Sequence, residues 1–432
     1  MKHIIATNTG NTTHAAQLID RADLRVLFVT EPRFVDQYPS GTELALVDNL
    51  NDPQAAVQAV AAQLPLGEFT HVVALSERAA QTAGRLRDHL GLPGISFETV
   101  VNCTDKAAMK QRFRDVGLRT ARFTQADTVE DVVAAARDIG YPVIVKPVNG
   151  SGVDATEVVR SPEELDSREL RSYLRRLETP ATTSEKGFPV LVEEYLEVLD
   201  EYHCDGLVVD GRVVHVRASR YLKPVIDYAS GPFGSHLLDQ ESALAAEIRE
   251  LHELAVRAVG LRDGVTHFEV LGTAQGLLAG ELACRPGGGG IRRMLQLDSG
   301  FDTWAAYIAS SLGEPYDHAP SPAAPEAGRL VEILLPAERG TVVEISTAED
   351  FARVPGLVEV DLRLRVGDTV GGLMDSSTVS ALILARTTEE HGPDEITQAV
   401  ADAFHLKVEA PGEEATAAGS PTPHVSAAEA TS

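Results

Sequence analysis

Short apolar runs alternate with amphipathic stretches along the first hundred residues. HIIAT (3–7), LRVLFVT (24–30) and HVVAL (71–75) read as strands, and SERAAQTAGRLRDHLG (76–91) repeats its apolar positions at helical spacing. Strands alternating with helices predict a parallel sheet covered by helices, ending near residue 100. Thr104 or Asp105 then caps a helix that runs to Gly117, and a helix over about 128–139 leads into the strand YPVIVKPV. The polar stretch ETPATTSEKGFP (178–189) reads as a mobile loop. Beyond it, VLVEEYL (190–196) is a strand, and YHCDGLVV and RVVHVRAS flank Asp210-Gly211, the signature of a tight hairpin. SGPFGSH (230–236) reads as a loop before the long amphipathic helix ESALAAEIRELHELAVRAVG (241–260). THFEVLG (266–272) and LLAGELA (277–283) form a second hairpin. A linker is expected from about 316, then several strands, a short helix near 348–353 and a last helix near 393–404. The Ala/Ser/Thr/Pro-rich end has no apolar period and is expected to be disordered.

These elements divide the chain into an N-terminal α/β domain (1–100), a central unit of two lobes (101–190 and 191–315), a C-terminal α+β subdomain (316–407) and a tail (408–432). The length of 432 residues agrees with two or three domains. Aromatics make up only 5%, so the core is built mostly of Val, Leu, Ile and Ala. A formal charge of −26 argues against nucleic acid and anionic membranes as partners. It also requires that any anionic ligand be held by a local cationic pocket. No apolar run is long enough to span a bilayer, and the segment MKHIIATNTGN lacks the features of a secretion signal, so a cytoplasmic location is expected. Cys103, Cys204 and Cys284 have no paired spacing, which favours a reducing compartment and gives no zinc site.

Three stretches carry chemistry. In PVIVKPVNGSGVDATEV (142–158), Lys146 ends a hydrophobic strand and precedes a loop with Gly150 and Gly152. That order fits neither a Walker A loop nor a dinucleotide fingerprint. In the second hairpin, a turn centred on Gln275 would set Glu269 opposite Glu281. Like charges in that position destabilise a sheet, so a cation should lie between them, and hard oxygen ligands suit Mg²⁺. CRPGGGGIRR (284–293) follows, with Arg285 beside four glycines whose backbone can approach a ligand closely, and Arg292 and Arg293 beyond. Arginine forks of this kind bind carboxylate or phosphate bidentately.

In order, these motifs are DK before a helix, PVIVKP with a GSG loop, VEEYL, HFE, and ELACRPGG. The set resembles the ATP-grasp superfamily, in particular its carboxylate–amine ligases of the L-amino-acid ligase type, with biotin carboxylase as a relative. The resemblance covers roughly residues 70–310. It implies an ATP-grasp fold in which two lobes hold ATP, with Mg²⁺, or Mn²⁺ as an alternative. It implies that Lys106 and Lys146 contact the phosphates, and that Gly150, Ser151 and Gly152 close over them. Glu193, Glu194, Tyr195 and Leu196 would hold adenine, largely through backbone groups, and Glu201 would bind the ribose. Glu269 and Glu281 would be the metal ligands. Arg285 would face the transferred phosphate and the acyl group. Many relatives carry Asn where this chain has Ala283, so a second Mg²⁺ would be held differently here.

Substrate contacts are expected from Gly288, Gly289 and Arg292 beside Arg285, from His236, and from Glu77 at the interdomain cleft. His203 and His267 read as packed or hydrogen-bonded strand residues, and Asp205 as structural. The expected activity is ATP-dependent joining of a small carboxylate, such as an amino acid, to an amine through an acyl phosphate. One alternative is bicarbonate activation, as in carboxylases and carbamoyl-phosphate enzymes. A second is a nucleotide-binding module without turnover. The oligomeric state stays open, with a homodimer, the state of many relatives, as one outcome.

Overall fold

The structure is a computed structural model that describes residues 1–63, 66–150, 155–165, 167–178, 187–317, 328–371 and 378–409. The first sheet contains β1 (Lys2–Thr7), β2 (Leu24–Thr30), β3 (Glu43–Leu46) and β4 (His71–Ala74), all parallel, in the order β3-β2-β1-β4. Strands β1, β2 and β4 are mostly apolar because both faces of the sheet are covered. Ile4, Ala6 and Phe28 pack into one core, and Ile5, Leu27 and Val29 into another. Glu77 follows directly after β4, at the carboxyl edge of the sheet, where ligands of open α/β sheets bind.

The second sheet is antiparallel, with β5 (Phe123–Ala126), β6 (Val143–Pro147), β7 (Glu157–Val159) and β8 (Val190–Glu194) in the order β5-β8-β6-β7. Val143 and Val145 of β6 pack with the helix Val129–Ile139. Strand alternation therefore turns Ile144 and Lys146 to the opposite face.

The third sheet has eight antiparallel strands. It begins with β9 (Asp200–Val209), β10 (Arg212–Tyr221), β11 (Phe233–Leu237), β12 (Gly264–Thr273), β13 (Gly276–Ala283) and β14 (Leu330–Pro336). After β15 (Gly340–Ile345), which starts a small sheet, come β16 (Leu357–Leu362), β17 (Thr369–Val370), β18 (Val379–Arg386) and β19 (Leu406–Glu409). The large sheet runs β13-β12-β9-β10-β11-β14-β18-β16, and the small one β17-β15-β19. Hydrogen bonding thus continues from the central strands into β14, β18 and β16, past the linker expected near 316. The Asp210-Gly211 turn has both residues at positive φ (50° and 77°), the backbone required by a two-residue hairpin.

The long helix Ala243–Val259, capped by the Ser242 side chain and ended by Gly260 in the left-handed region, covers one face of this sheet. It packs on Tyr202, Cys204, Val208, Phe268 and Val270. Glu201, His203, Asp205, His267 and Glu269 alternate with those residues and therefore share the other face.

SGPFGSH is not wholly a loop. Its residues from Phe233 form β11, paired with β10 and β14.

Candidate active site

Asp105 caps the helix Lys106–Asp115 by accepting from the Ala108 amide at 2.9 Å. This fixes Lys106 and Lys110, one turn apart, on one face of the helix. The Lys106 ammonium lies 3.0 Å from Glu281 and donates to the Gly150 carbonyl at 2.6 Å. Lys110 lies 2.9 Å from Glu193 and donates to the Gly280 carbonyl at 3.2 Å. Lys146 completes the cluster, 2.8 Å from Glu193 and 2.9 Å from Glu281. Three ammonium groups and two carboxylates thus form one network, with an excess of positive charge in a strongly acidic chain. Burial alone would raise the Glu281 carboxyl, but Lys106 and Lys146 outweigh it and hold the group well below the usual range. Burial would lower Lys146, but Glu193 and Glu281 raise it instead. Both stay charged at neutral pH.

Glu269 and Glu281 do come together, by a different register from the expected one. The turn of the hairpin pairs Thr273 with Gly276, so it is centred between Ala274 and Gln275 rather than on Gln275. A bulge between the Val270–Ala279 and Phe268–Leu282 pairs then sets Gly280 and Glu281 together opposite Glu269. A Cβ on Gly280 would sit 3.0 Å from the Glu269 carbonyl oxygen, so the bulge suits glycine. The cations at Glu281 are Lys106 and Lys146. The Glu269 carboxylate has His267 Nε2 at 3.5 Å. Two carboxylates brought together by the bulge, Glu281 against the lysines and Glu269 against His267, fit a hard divalent ion held by few protein oxygens.

Behind Glu269 lies a buried relay. Asp205 binds His203 Nδ1 at 2.6 Å and His267 Nδ1 at 2.9 Å. The Tyr221 hydroxyl is 3.3 Å from His267 Nε2. Burial would lower His267, but Asp205 and then Glu269 raise it to about 9, so it is an imidazolium at neutral pH. Asp205, His203 and His267 lie close enough to share an ion, but their facing atoms are already paired by hydrogen bonds. Glu201, on the same face, accepts from the Val225 amide at 2.8 Å. Burial, then the Glu269 charge, raises its carboxyl to about 8.

Arg285 donates to Glu77 at 2.6 Å and to the Pro286 carbonyl at 2.8 Å, joining two residues that the sequence placed on separate units. A cavity of about 40 Å³ adjoins the pair, lined mainly by apolar groups including Ala74, Val100, Cys284 and Tyr307. The glycine run follows. A Cβ on Gly287 would lie 2.8 Å from Asp205 Oδ1 and 2.9 Å from His267 Nδ1, so this residue rests directly on the relay. Gly288 has open space, and Gly289 adopts φ +64°.

Other expected residues stand apart. His236 is on β11, not in a loop. Its neighbour Ser235 bonds Glu332, so alternation turns His236 to the opposite face of the sheet, where Arg220, Arg329 and Asp394 influence it. Arg292 is bound bidentately by Asp302 at 2.8 and 2.7 Å and holds the start of the helix Thr303–Ser311. Its fork is already filled by a carboxylate. The Glu193 side chain joins the lysines rather than facing outward. Glu194 pairs with Arg122 at 3.1 Å, and the Tyr195 amide donates to the Pro142 carbonyl at 3.1 Å. Glu194 and Leu196 line an open cleft on the Arg122 side. Ser151 and Gly152 lie outside the described residues.

Lys110, Glu332 and the pairing of Asp205 with His267 escaped the sequence reading, although the hydrogen bond between those two agrees with the structural roles expected of them. Lys110 had a usable signal, its spacing of four from Lys106. The Asp205–His267 pair depends on β12 lying beside β9, and Glu332 on β14 joining the same sheet. No local pattern marks either.

Residues 105–216 match the family model of the carbamoyl-phosphate synthase L chain, ATP binding domain, and residues 332–409 match L-amino acid ligase C-terminal domain 2. The chain is 32% identical over 335 residues to the L-arginine-specific L-amino acid ligase of Bacillus subtilis, covering 77% of this chain and 78% of that protein. Its fold is similar to the crystal structure of L-amino acid ligase from Bacillus licheniformis, with a TM-score of 0.69 at 19% identity, over 95% of this chain and 99% of the other. It is also similar to a 2-oxoglutarate carboxylase biotin carboxylase domain from Hydrogenobacter thermophilus in complex with MgADP, ADP and bicarbonate. There the TM-score is 0.60 at 16% identity, over 94% and 90% of the two chains. The lysine–glutamate network, the paired carboxylates of the bulged hairpin and the extent of this likeness lead to one conclusion: the chain belongs to the ATP-grasp ligases of the L-amino-acid ligase type, enzymes that form carbon–nitrogen bonds.

Proposed function

We propose that this protein activates the carboxylate of an amino acid with ATP and joins it to the amine of a second amino acid or amine-bearing metabolite. The observation that carries the reading is the Arg285–Glu77 ion pair, with Glu269 close enough for its charge to act on Arg285, because it offers one cation and one anion where a zwitterion and a phosphate would meet. Lys106 and Lys146 bind the phosphates and offset their charge. Glu269 and Glu281 would hold Mg²⁺, which supplies further charge neutralisation on the phosphate oxygens.

Arg285 leaves Glu77 to grip the substrate carboxylate. A carboxylate oxygen attacks the γ-phosphorus, the bond to the bridging oxygen breaks, and ADP departs. The amine then attacks the acyl carbon, the oxyanion forms against Arg285, and phosphate leaves as the amide forms. Glu77, no longer paired, receives the proton that the amine releases. The domains named from the sequence close around these groups and exclude water from the acyl phosphate.

The test is phosphate release from ATP and Mg²⁺ with an array of amino-acid and amine pairs, with bicarbonate as a separate arm. Release that needs both a carboxylate and an amine, with an amide found by mass spectrometry, supports the reading. Release with bicarbonate alone overturns it.

A further inference from the structure

Glu332 is a carboxylate from β14, outside the hairpin and lobes that carry the cluster, and it is 2% exposed. It accepts from the Gly290 amide at 2.5 Å and from the Ser235 hydroxyl at 3.0 Å. Gly290 caps the helix Ile291–Ser299 at its N-terminus, where free amides and the helix dipole favour negative charge. The site for an anion there is filled by the protein's own side chain. A Cβ on Gly290 would fall 2.5 Å from Glu332 Oε2 and 2.5 Å from Leu382, so only glycine allows this contact.

The four glycines therefore divide. Gly287 rests on Asp205 and His267, Gly290 is tied to Glu332, and the two between them are exposed. We propose that Glu332 is a positioning residue: by holding the Gly290 amide it fixes one end of the segment 287–290, so that Gly288 and Gly289 keep the shape that receives the substrate beside Arg285. This rests on reading that segment as a wall of the amino-acid site. It also gives the C-terminal strands a part in the site, since β14 delivers the anchor.

The groups facing Glu332 are Asp205 from β9, Tyr221 from β10, Ser235 from β11 and Arg363 from the segment after β16. Burial raises the Glu332 carboxyl to about 7. Ser235, the Gly290 amide and Arg363 oppose that rise, and Asp205 adds to it. The anchor is therefore a full charge above that pH and loses its charge below it.

The experiment compares wild type, Glu332→Ala and Glu332→Gln by hydrogen exchange over residues 287–295 and by steady-state kinetics. Loss of one charge-assisted hydrogen bond should raise exchange and the KM for the amino acid about tenfold in Glu332→Ala, with the KM for ATP unchanged. Glu332→Gln keeps an acceptor for the Gly290 amide. It should restore both values to within about threefold and remove the rise in KM expected of wild type as pH falls through about 7. If Glu332→Ala does not fold, exchange and the flat pH profile in Glu332→Gln carry the test. Wild-type exchange in Glu332→Ala, equal damage in both variants, or a parallel rise in the KM for ATP overturns the proposal. Exchange needs no substrate, so a wild type without amino-acid-dependent turnover would defeat the proposed function and leave this inference still tested.

Discussion

Lys146 and Glu281 lie 2.9 Å apart, one from each of the two sheets that face each other across the site. Glu281 thus has two tasks, since it pairs with Lys106 and Lys146 and, with Glu269, would hold Mg²⁺. Glu281→Gln should abolish turnover and weaken Mn²⁺ binding, read by electron paramagnetic resonance. It should also lower stability, because the buried Lys106 ammonium then loses its carboxylate partner. Wild-type turnover in the variant would remove Glu281 from the metal site.

Lys110 gives a second prediction. It is buried and bound to Glu193, so its loss leaves Glu193 with Lys146 alone. Lys110→Met keeps the stem and removes the charge. The variant should raise the KM for ATP about tenfold or more, as loss of a charge-assisted contact would. It should affect the amino-acid KM far less. A change confined to the amino-acid KM would place Lys110 outside the nucleotide half of the site.

Much of this site was legible because its signals are local. Asp210-Gly211 specifies its hairpin through backbone chemistry, and the lysine before the glycines and the two glutamates of the second hairpin sit within single strands or turns. The hairpin register was not legible. It needed a bulge at Gly280–Glu281 that a symmetric pairing of strands does not contain. Strand β11 was hidden for a related reason. Gly234 and its neighbours have turn-forming composition, yet a Cβ at Gly234 would lie 2.1 Å from the Glu332 carbonyl oxygen. The glycine is there so that a strand nearly a hundred residues away can approach, and nothing nearby records that. Glu332, Asp205 and His267 meet only once the strand order is set.

The first two glycines of the run predict different responses to the same substitution. Gly287→Ala places a methyl group 2.8 Å from a buried Asp205 oxygen, so the segment must lift from the relay. Overpacking of this kind costs about 1–3 kcal/mol. Gly288→Ala meets nothing within 4 Å and should leave stability near that of wild type. Thermal melts of the two variants check the contrast, and equal melting temperatures would mean that the segment is not seated on Asp205 and His267.

The last prediction concerns pH. Glu201 has a folded-state carboxyl raised from 4.5 to about 8, first by burial and then by Glu269. The folded chain therefore holds this proton more tightly than the unfolded chain does. Between about pH 4.5 and 8 the unfolded state ionises freely while the folded state resists, so this group costs stability progressively over that window and by a constant amount above it. Glu201→Gln removes the ionisation and keeps an acceptor for the Val225 amide. The variant should melt near the wild-type temperature at pH 5 and a few degrees higher at about pH 9, the scale expected when a chain of this size gains about 1–2 kcal/mol. Mg²⁺ should narrow the gap, since a cation at Glu269 removes part of the repulsion that raises Glu201. Melting temperatures of the two proteins across this pH range, with and without the ion, decide it. A variant that loses stability at pH 9 would mean that Glu201 is ionised and needed as a charge in the folded protein.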